Sequence, residues 1–171
     1  MRLLVVLVLS FILGCVPPAA PSPPPVCSAK TIDFSVDTRF SSIDREAFAD
    51  SALWWLQYGV VVKFHEDRDP EASHYLWLAF SDSKKVLEDE YEHNRIDLAL
   101  TYHTWVPTVL LVVDRLYTME MITAVLNHEI GHILGMPDNK VDPEGLMYYT
   151  YKHPIQRLSA HDMMEFRKCR L

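Results

Sequence analysis

The chain has 171 residues, of which 49% are hydrophobic and 23% charged, with a formal net charge of −7. Apolar residues in that proportion can build a core, which excludes an intrinsically disordered chain. The negative balance argues against nucleic acid or an anionic membrane surface as the partner.

Residues 1–14 read as a signal segment. Arg2 is followed by an apolar run from Leu3 to Leu13, which is too short to span a bilayer as a permanent helix. The run ends in Ile12-Leu13-Gly14-Cys15, which resembles a bacterial lipobox and so implies cleavage before Cys15 and attachment of lipid to it. Val16, in place of an Asp retention signal, directs the expectation to the outer membrane, with a secreted or periplasmic protein as the alternative. Residues 15–28 then form a tether, since Val16 to Pro25 reads VPPAAPSPPP and such a run favours an extended, semi-rigid polyproline spacer. Residues 29–171 remain for the domain, roughly 145 residues and enough for one core. With Cys15 lipidated, Cys27 and Cys169 form an even pair; a disulfide closing the domain and two free thiols both stay open.

In chain order, Lys30 to Val36 alternates and reads as a strand. Ser41 to Gln57 reads as a helix capped by Ser41 or Ser42, with Ile43, Ala47, Leu53, Trp54 and Leu56 as its apolar inner face and Gly59 after its end. Val60 to Phe64 is a β-branched strand, and His65 to Ser73 is a charged loop containing Pro70. Strands follow at His74 to Phe80, Ile96 to Thr101 and Thr108 to Asp114. Ser83 to Asn94, between them, is polar and reads as a helix or an excursion. Thr118 caps a helix running to Leu134 and ended by Gly135. Ser159 caps a last helix with Asp162 in its first turn. The order predicts an α+β fold with a single mixed sheet of about five strands and three helices.

The chemistry concentrates in residues 128–138, His-Glu-Ile-Gly-His-Ile-Leu-Gly-Met-Pro-Asp. His128 and His132 are four apart and project from one helix face, the spacing of two imidazole ligands to one metal ion. Glu129 stands where a carboxylate can take a proton from an attacking water. The bland alternative is a solvated His-Glu-His helix face. Gly135 permits the left-handed turn that redirects the chain toward a third ligand. Asp138 is the candidate for that ligand, in competition with Asn139, Asp142 and His153, or with a purely local turn at Asp138 and Asn139. Met147 suits an apolar floor.

With Gly135, Asp138 and Met147 added to the HExxH core, the chain resembles the metzincin zinc peptidases, and among them the matrixins, over roughly residues 30 to 168. Pro143-Glu144-Gly145-Leu146-Met147-Tyr148 is similar to the matrixin Met-turn, and Leu158-Ser159 with Asp162 to the start of the C-terminal helix. The third-ligand position holds aspartate where most metzincins have histidine, which is similar to the snapalysins. The resemblance implies one catalytic zinc on His128, His132 and Asp138, with Glu129 as general base. It implies that Met147 lies beneath the metal and that Tyr149 touches the metal or stabilises the oxyanion, with Tyr148 and Tyr151 as alternatives and a merely packed tyrosine as the bland one. It also implies that Ile96 to Thr101 is the edge strand beside the cleft, with Tyr102, His103 and Trp105 as candidate lining residues and buried or ordinary loop residues as the bland alternative. No cysteine-switch propeptide is visible, and neither is a counterpart of the matrixin structural zinc site.

The implied activity is zinc-dependent endopeptidase action on a protein or peptide substrate by a monomer tethered to a membrane. The alternative is a zinc-binding envelope lipoprotein without turnover; an intact Glu129 argues against it, because a purely structural site needs no general base. Calcium is a further candidate cofactor at the acidic loop Glu66 to Asp69, where four solvated charges explain the composition equally well.

Overall fold

In the computed structural model, residues 31–66, 72–80, 82–83, 86, 98–102, 106–149 and 157–168 are described. The order is β1 (Thr31–Val36), α1 (Ser42–Leu56), β2 (Val61–His65), β3 (His74–Ala79), β4 (Ala99–Tyr102), β5 (Thr108–Val112), a 3-10 turn (Val113–Arg115), α2 (Met119–Ile133) and α3 (Ala160–Lys168). The strands form one sheet in the order β2-β1-β3-β5-β4. All neighbours are parallel except β4 and β5. Parallel neighbours need a crossover, and α1 supplies the one between β1 and β2. The α+β architecture with one mixed five-stranded sheet and three helices therefore stands, and β4, which overlaps the expected strand Ile96 to Thr101, lies at a sheet edge.

Alternation in β1 turns Ile32, Phe34 and Val36 into the main core, where they meet Trp55, Leu76, Val109, Leu126 and Ile130. Phe34 stacks on Phe64, which stacks on Phe48, so aromatic rings join sheet to helix. The face of α1 differs from the one expected. Ala47, Phe48, Ser51 and Trp55 are buried, while Ile43, Leu53 and Leu56 are among the most exposed large hydrophobic residues. The reason is compositional: α1 carries apolar residues almost all round, so their spacing does not select an inward face, and the aromatic pair Phe48 and Trp55 selects it through packing.

Helix ends follow their chemistry. Ser41 and Asp44 form a reciprocal capping box on α1, and Thr118 accepts from Met121 N at 3.2 Å on α2. Ser159 and Asp162 cap α3 in the same reciprocal manner, at 3.0 and 3.2 Å. The expected strand Thr108 to Asp114 is shorter, because the chain tightens into the 3-10 turn at Val113. Among the described residues no helix is long and apolar enough to cross a membrane. The leader, the tether, Cys27, Cys169, most of Ser83 to Asn94 and loop residues 67–69 lie outside the described residues.

Candidate metal centre

The centre grows from α2. Its inner side is apolar, with Ile122, Val125, Leu126 and Ile130 buried, and this fixes the helix against the sheet and α1. Ser51 of α1 donates to Asn127 Oδ1 at 2.5 Å in the buried seam between the helices. With that rotation set, His128 and His132 emerge together at the cleft, their rings 4.7 Å apart and nearly perpendicular.

Each imidazole is oriented from behind. His128 Nδ1 lies 2.8 Å from the Leu146 carbonyl, and His132 Nδ1 lies 3.0 Å from the Met136 carbonyl. A carbonyl only accepts, so each Nδ1 carries a hydrogen and donates, which turns each Nε2 toward the cleft. Both Nε2 atoms face the same carboxylate oxygen. Asp138 Oδ1 lies 3.4 Å from His128 Nε2 and 3.5 Å from His132 Nε2. Ligand atoms of His128, Glu129 and His132 also lie within 4.8 Å of one another, a group that could hold a metal ion. Asp138 is within ion-pairing distance of both imidazoles, whereas the partner of Glu129 is Thr101 Oγ1 on β4. The structure thus brings Asp138 to the two histidines and leaves Glu129 beside them.

The loop that carries Asp138 begins with a tight helix stop. Gly135 has φ 83°, Gly135 N donates to His132 O at 2.9 Å, and Met136 N donates to Gly131 O at 2.9 Å. That pair of bonds is the Schellman motif, and its left-handed residue explains the glycine. Of the other candidates for the third ligand, Asn139 and Asp142 are spent on the turn itself. Asn139 Oδ1 accepts from Val141 N at 2.8 Å and Asp142 N at 3.0 Å, and Asp142 Oδ1 accepts from Glu144 N at 3.1 Å. The local turn is thus built by Asn139, leaving the carboxylate of Asp138 to the histidines; His153 lies outside the described residues.

Met147 is 1% exposed and packs against Gly131, one residue before His132. It comes close to α2 because position 131 has no side chain. Tyr149 is anchored by its backbone, donating to Asn139 O at 3.1 Å; its ring leans on Tyr148, and 55% of the residue is exposed. Its hydroxyl makes no hydrogen bond with the described residues.

Electrostatically the two sides of the cluster are complementary. The bonds from His128 and His132, outweighing burial, hold the Asp138 carboxyl well below its usual range. Burial pushes His132 down, but the bond to Asp138, the charge of Glu129 and the bond to Met136 together push it up.

Thr101 and Gly131 are not singled out by motif, whereas Gly145 falls within the Met-turn segment. Thr101 comes from a strand 28 positions before Glu129, and no local pattern links the two. Gly131 and Gly145 do leave a signal. Glycine inside a helix costs about 1 kcal/mol relative to alanine, so Gly131 calls for a packing reason, which Met147 supplies. Gly145 is where Asp162, Ser159 and Asn139 converge. Tyr102, a candidate lining residue expected just after the strand, is instead the last residue of β4 and packs against the smaller core cluster, while His103 and Trp105 lie outside the described residues. Glu66 forms an ion pair with Arg45 and so has a partner without calcium. No family model matches this chain, and no curated protein matches it.

Proposed function

We propose that this protein is a zinc endopeptidase of metzincin type that hydrolyses peptide bonds in protein substrates, with His128, His132 and Asp138 holding the metal. One observation carries the reading: a single carboxylate oxygen at 3.4 and 3.5 Å from two Nε2 atoms whose rings are fixed by backbone carbonyls. Donors about 2.0–2.1 Å from a tetrahedral zinc lie about 3.3–3.4 Å from one another, so these two spacings are close to the edges of a tetrahedral site. Imidazole and carboxylate donors suit zinc, and three protein ligands leave the open position of a catalytic site.

Zinc, when bound, supplies a Lewis acid that polarises the substrate carbonyl and acidifies water. Glu129 takes one proton from the attacking water as the C–O bond forms. It returns that proton to the amide nitrogen as the C–N bond breaks, so acid and amine leave as separate products. Its 7% exposure keeps the carboxylate largely shielded from bulk water. Asp138 holds His128 and His132 together and lowers the net charge of the site. Tyr149, more than half exposed beside the centre, is the candidate donor to the developing oxyanion. The edge position of β4 supports pairing with an extended peptide. The reading extends to a monomer on a lipid tether at Cys15, held at a bacterial outer membrane.

The test is direct. Purified chain loaded with zinc should bind about one ion per molecule and cleave an unfolded protein such as casein. Glu129→Ala should abolish cleavage while retaining zinc. Cleavage that survives both that substitution and chelation overturns the proposal.

A further inference from the structure

The contact between β4 and the general base is specific in a way the fold does not demand. Ala99 and Thr101 alternate with Leu100 and Tyr102 along β4; Ala99 packs against the main core, and Leu100 and Tyr102 pack in the smaller cluster with Ala79, Val86 and Val112. Thr101 therefore stands on the side of β4 that faces α2, where an aliphatic residue would satisfy the packing. Instead it presents a hydroxyl that donates to Glu129 Oε2. Thr101 is the only hydrogen-bond partner of the Glu129 carboxylate among the described residues, and the other carboxylate oxygen accepts from none of them. Among the described residues the carboxylate is thus held at one oxygen only.

We propose that Thr101 is the positioning residue for Glu129: its hydroxyl fixes one carboxylate oxygen so that the other is presented to the attacking water. This rests on the peptidase reading above. A threonine suits both halves of the proton shuttle. A hydroxyl donates to the ionised carboxylate and, after rotation, accepts from the protonated acid, so the contact persists when Glu129 carries the proton. Valine, of nearly the same shape, offers neither, and serine offers both. Because Thr101 pairs with Val109 in the edge strand, the same strand that is open to a peptide sets the orientation of the base.

The experiment compares zinc-loaded full-length chain with Thr101→Val and Thr101→Ser on a labelled unfolded protein. The expected result is a kcat lower by about 10- to 100-fold in Thr101→Val, with KM and zinc affinity within about twofold, and recovery of most of the loss in Thr101→Ser. Unchanged kcat in Thr101→Val overturns the proposal. So does a parallel fall in zinc affinity and melting temperature without rescue by serine, which would make the contact a structural tie. A readout independent of turnover accompanies these: the Thr101 hydroxyl proton should exchange slowly enough to be seen by NMR, and it should vanish in Glu129→Ala. Failure to detect it counts against the proposal even if no cleavable substrate is found. Retention of cleavage in Glu129→Ala, by contrast, overturns the underlying peptidase reading.

Discussion

Met147 occupies the space that a side chain on Gly131 would need. A Cβ built at position 131 is driven into Met147 Sδ and lies 3.1 Å from Met147 Cε. Met147 is buried, so its thioether end, though flexible, has to repack among its neighbours to make room. Gly131→Ala would gain about 1 kcal/mol of helix propensity but lose about 1–3 kcal/mol to overpacking. The expected net outcome is a lower melting temperature and weaker zinc binding, since His132 is the next residue. Combining Gly131→Ala with Met147→Ala should cost less than the two single losses added, because the clash is gone. Strict additivity in denaturant titrations would show that the two residues are not coupled.

The third ligand is tested by shortening it. Asp138→Ala should weaken zinc binding by more than about 100-fold, beyond the usual effect of an outer-shell change. Asp138→Asn should fall between, because the amide oxygen still reaches the histidines but brings no charge. Competition with a chelator of known affinity reads the difference. Near-native binding by Asp138→Ala would move the third ligand elsewhere, with His153 the first position to examine.

Solution pH separates the metal-free cluster from its loaded form. Asp138 is held below its ordinary 3.8, so its contribution to stability is present above that value and is lost only at strong acidity. His132 is raised above its ordinary 6.5, so its contribution is complete below that value and is lost as pH rises through the folded value. The metal-free protein should therefore gain most from this cluster between about pH 4 and 6.5. Zinc requires neutral imidazoles and displaces the proton. The rise in melting temperature on adding zinc should accordingly grow from about pH 5.5 to 7.5. A pH-independent increment would mean that His132 is not displaced from its proton by the metal.

Much of this was legible in the residues, and what was not has a physical explanation. The pair His128 and His132 declares itself because helical spacing turns sequence distance into geometry. The Gly135 stop follows from a left-handed φ that few residues adopt. The inward face of α1 was not readable, because Leu53 and Leu56 are as apolar as the buried Ala47 and Phe48 and only packing decides among them. Thr101 and Glu129 meet through the tertiary fold alone, as do Ser51 and Asn127. Asn139 could be named as a competitor for the metal, but its diversion into the turn depends on the backbone path from Asp138 to Met147, which no short pattern encodes.

Tyr149 offers a milder test. Its exposed hydroxyl has no structural bond to lose, so Tyr149→Phe should leave the melting temperature unchanged. If it donates to the oxyanion, kcat should drop by about tenfold or more with KM little changed. An unaltered kcat would return Tyr149 to the role of a surface tyrosine packed on Tyr148.

Gly145 links the metal loop to the C-terminal helix. A Cβ there would lie 2.7 Å from Asp162 Oδ2, 2.9 Å from Ser159 Oγ and 3.1 Å from Asn139 Nδ2. Asp162 is fully buried and caps α3, while Asn139 is 1% exposed and follows directly on Asp138. None of these groups can yield without breaking a cap or the turn. Gly145→Ala should therefore lose about 1–3 kcal/mol of stability from overpacking, together with zinc affinity, since Asn139 shifts with its neighbour. Ser159→Ala weakens the same cap, by about 1 kcal/mol, without crowding Asn139, so it should lower stability and leave zinc affinity near native. If both variants lose zinc in proportion to stability, the loop is sensitive only to global unfolding. If Gly145→Ala alone loses zinc beyond that proportion, the glycine sets the position of the third ligand.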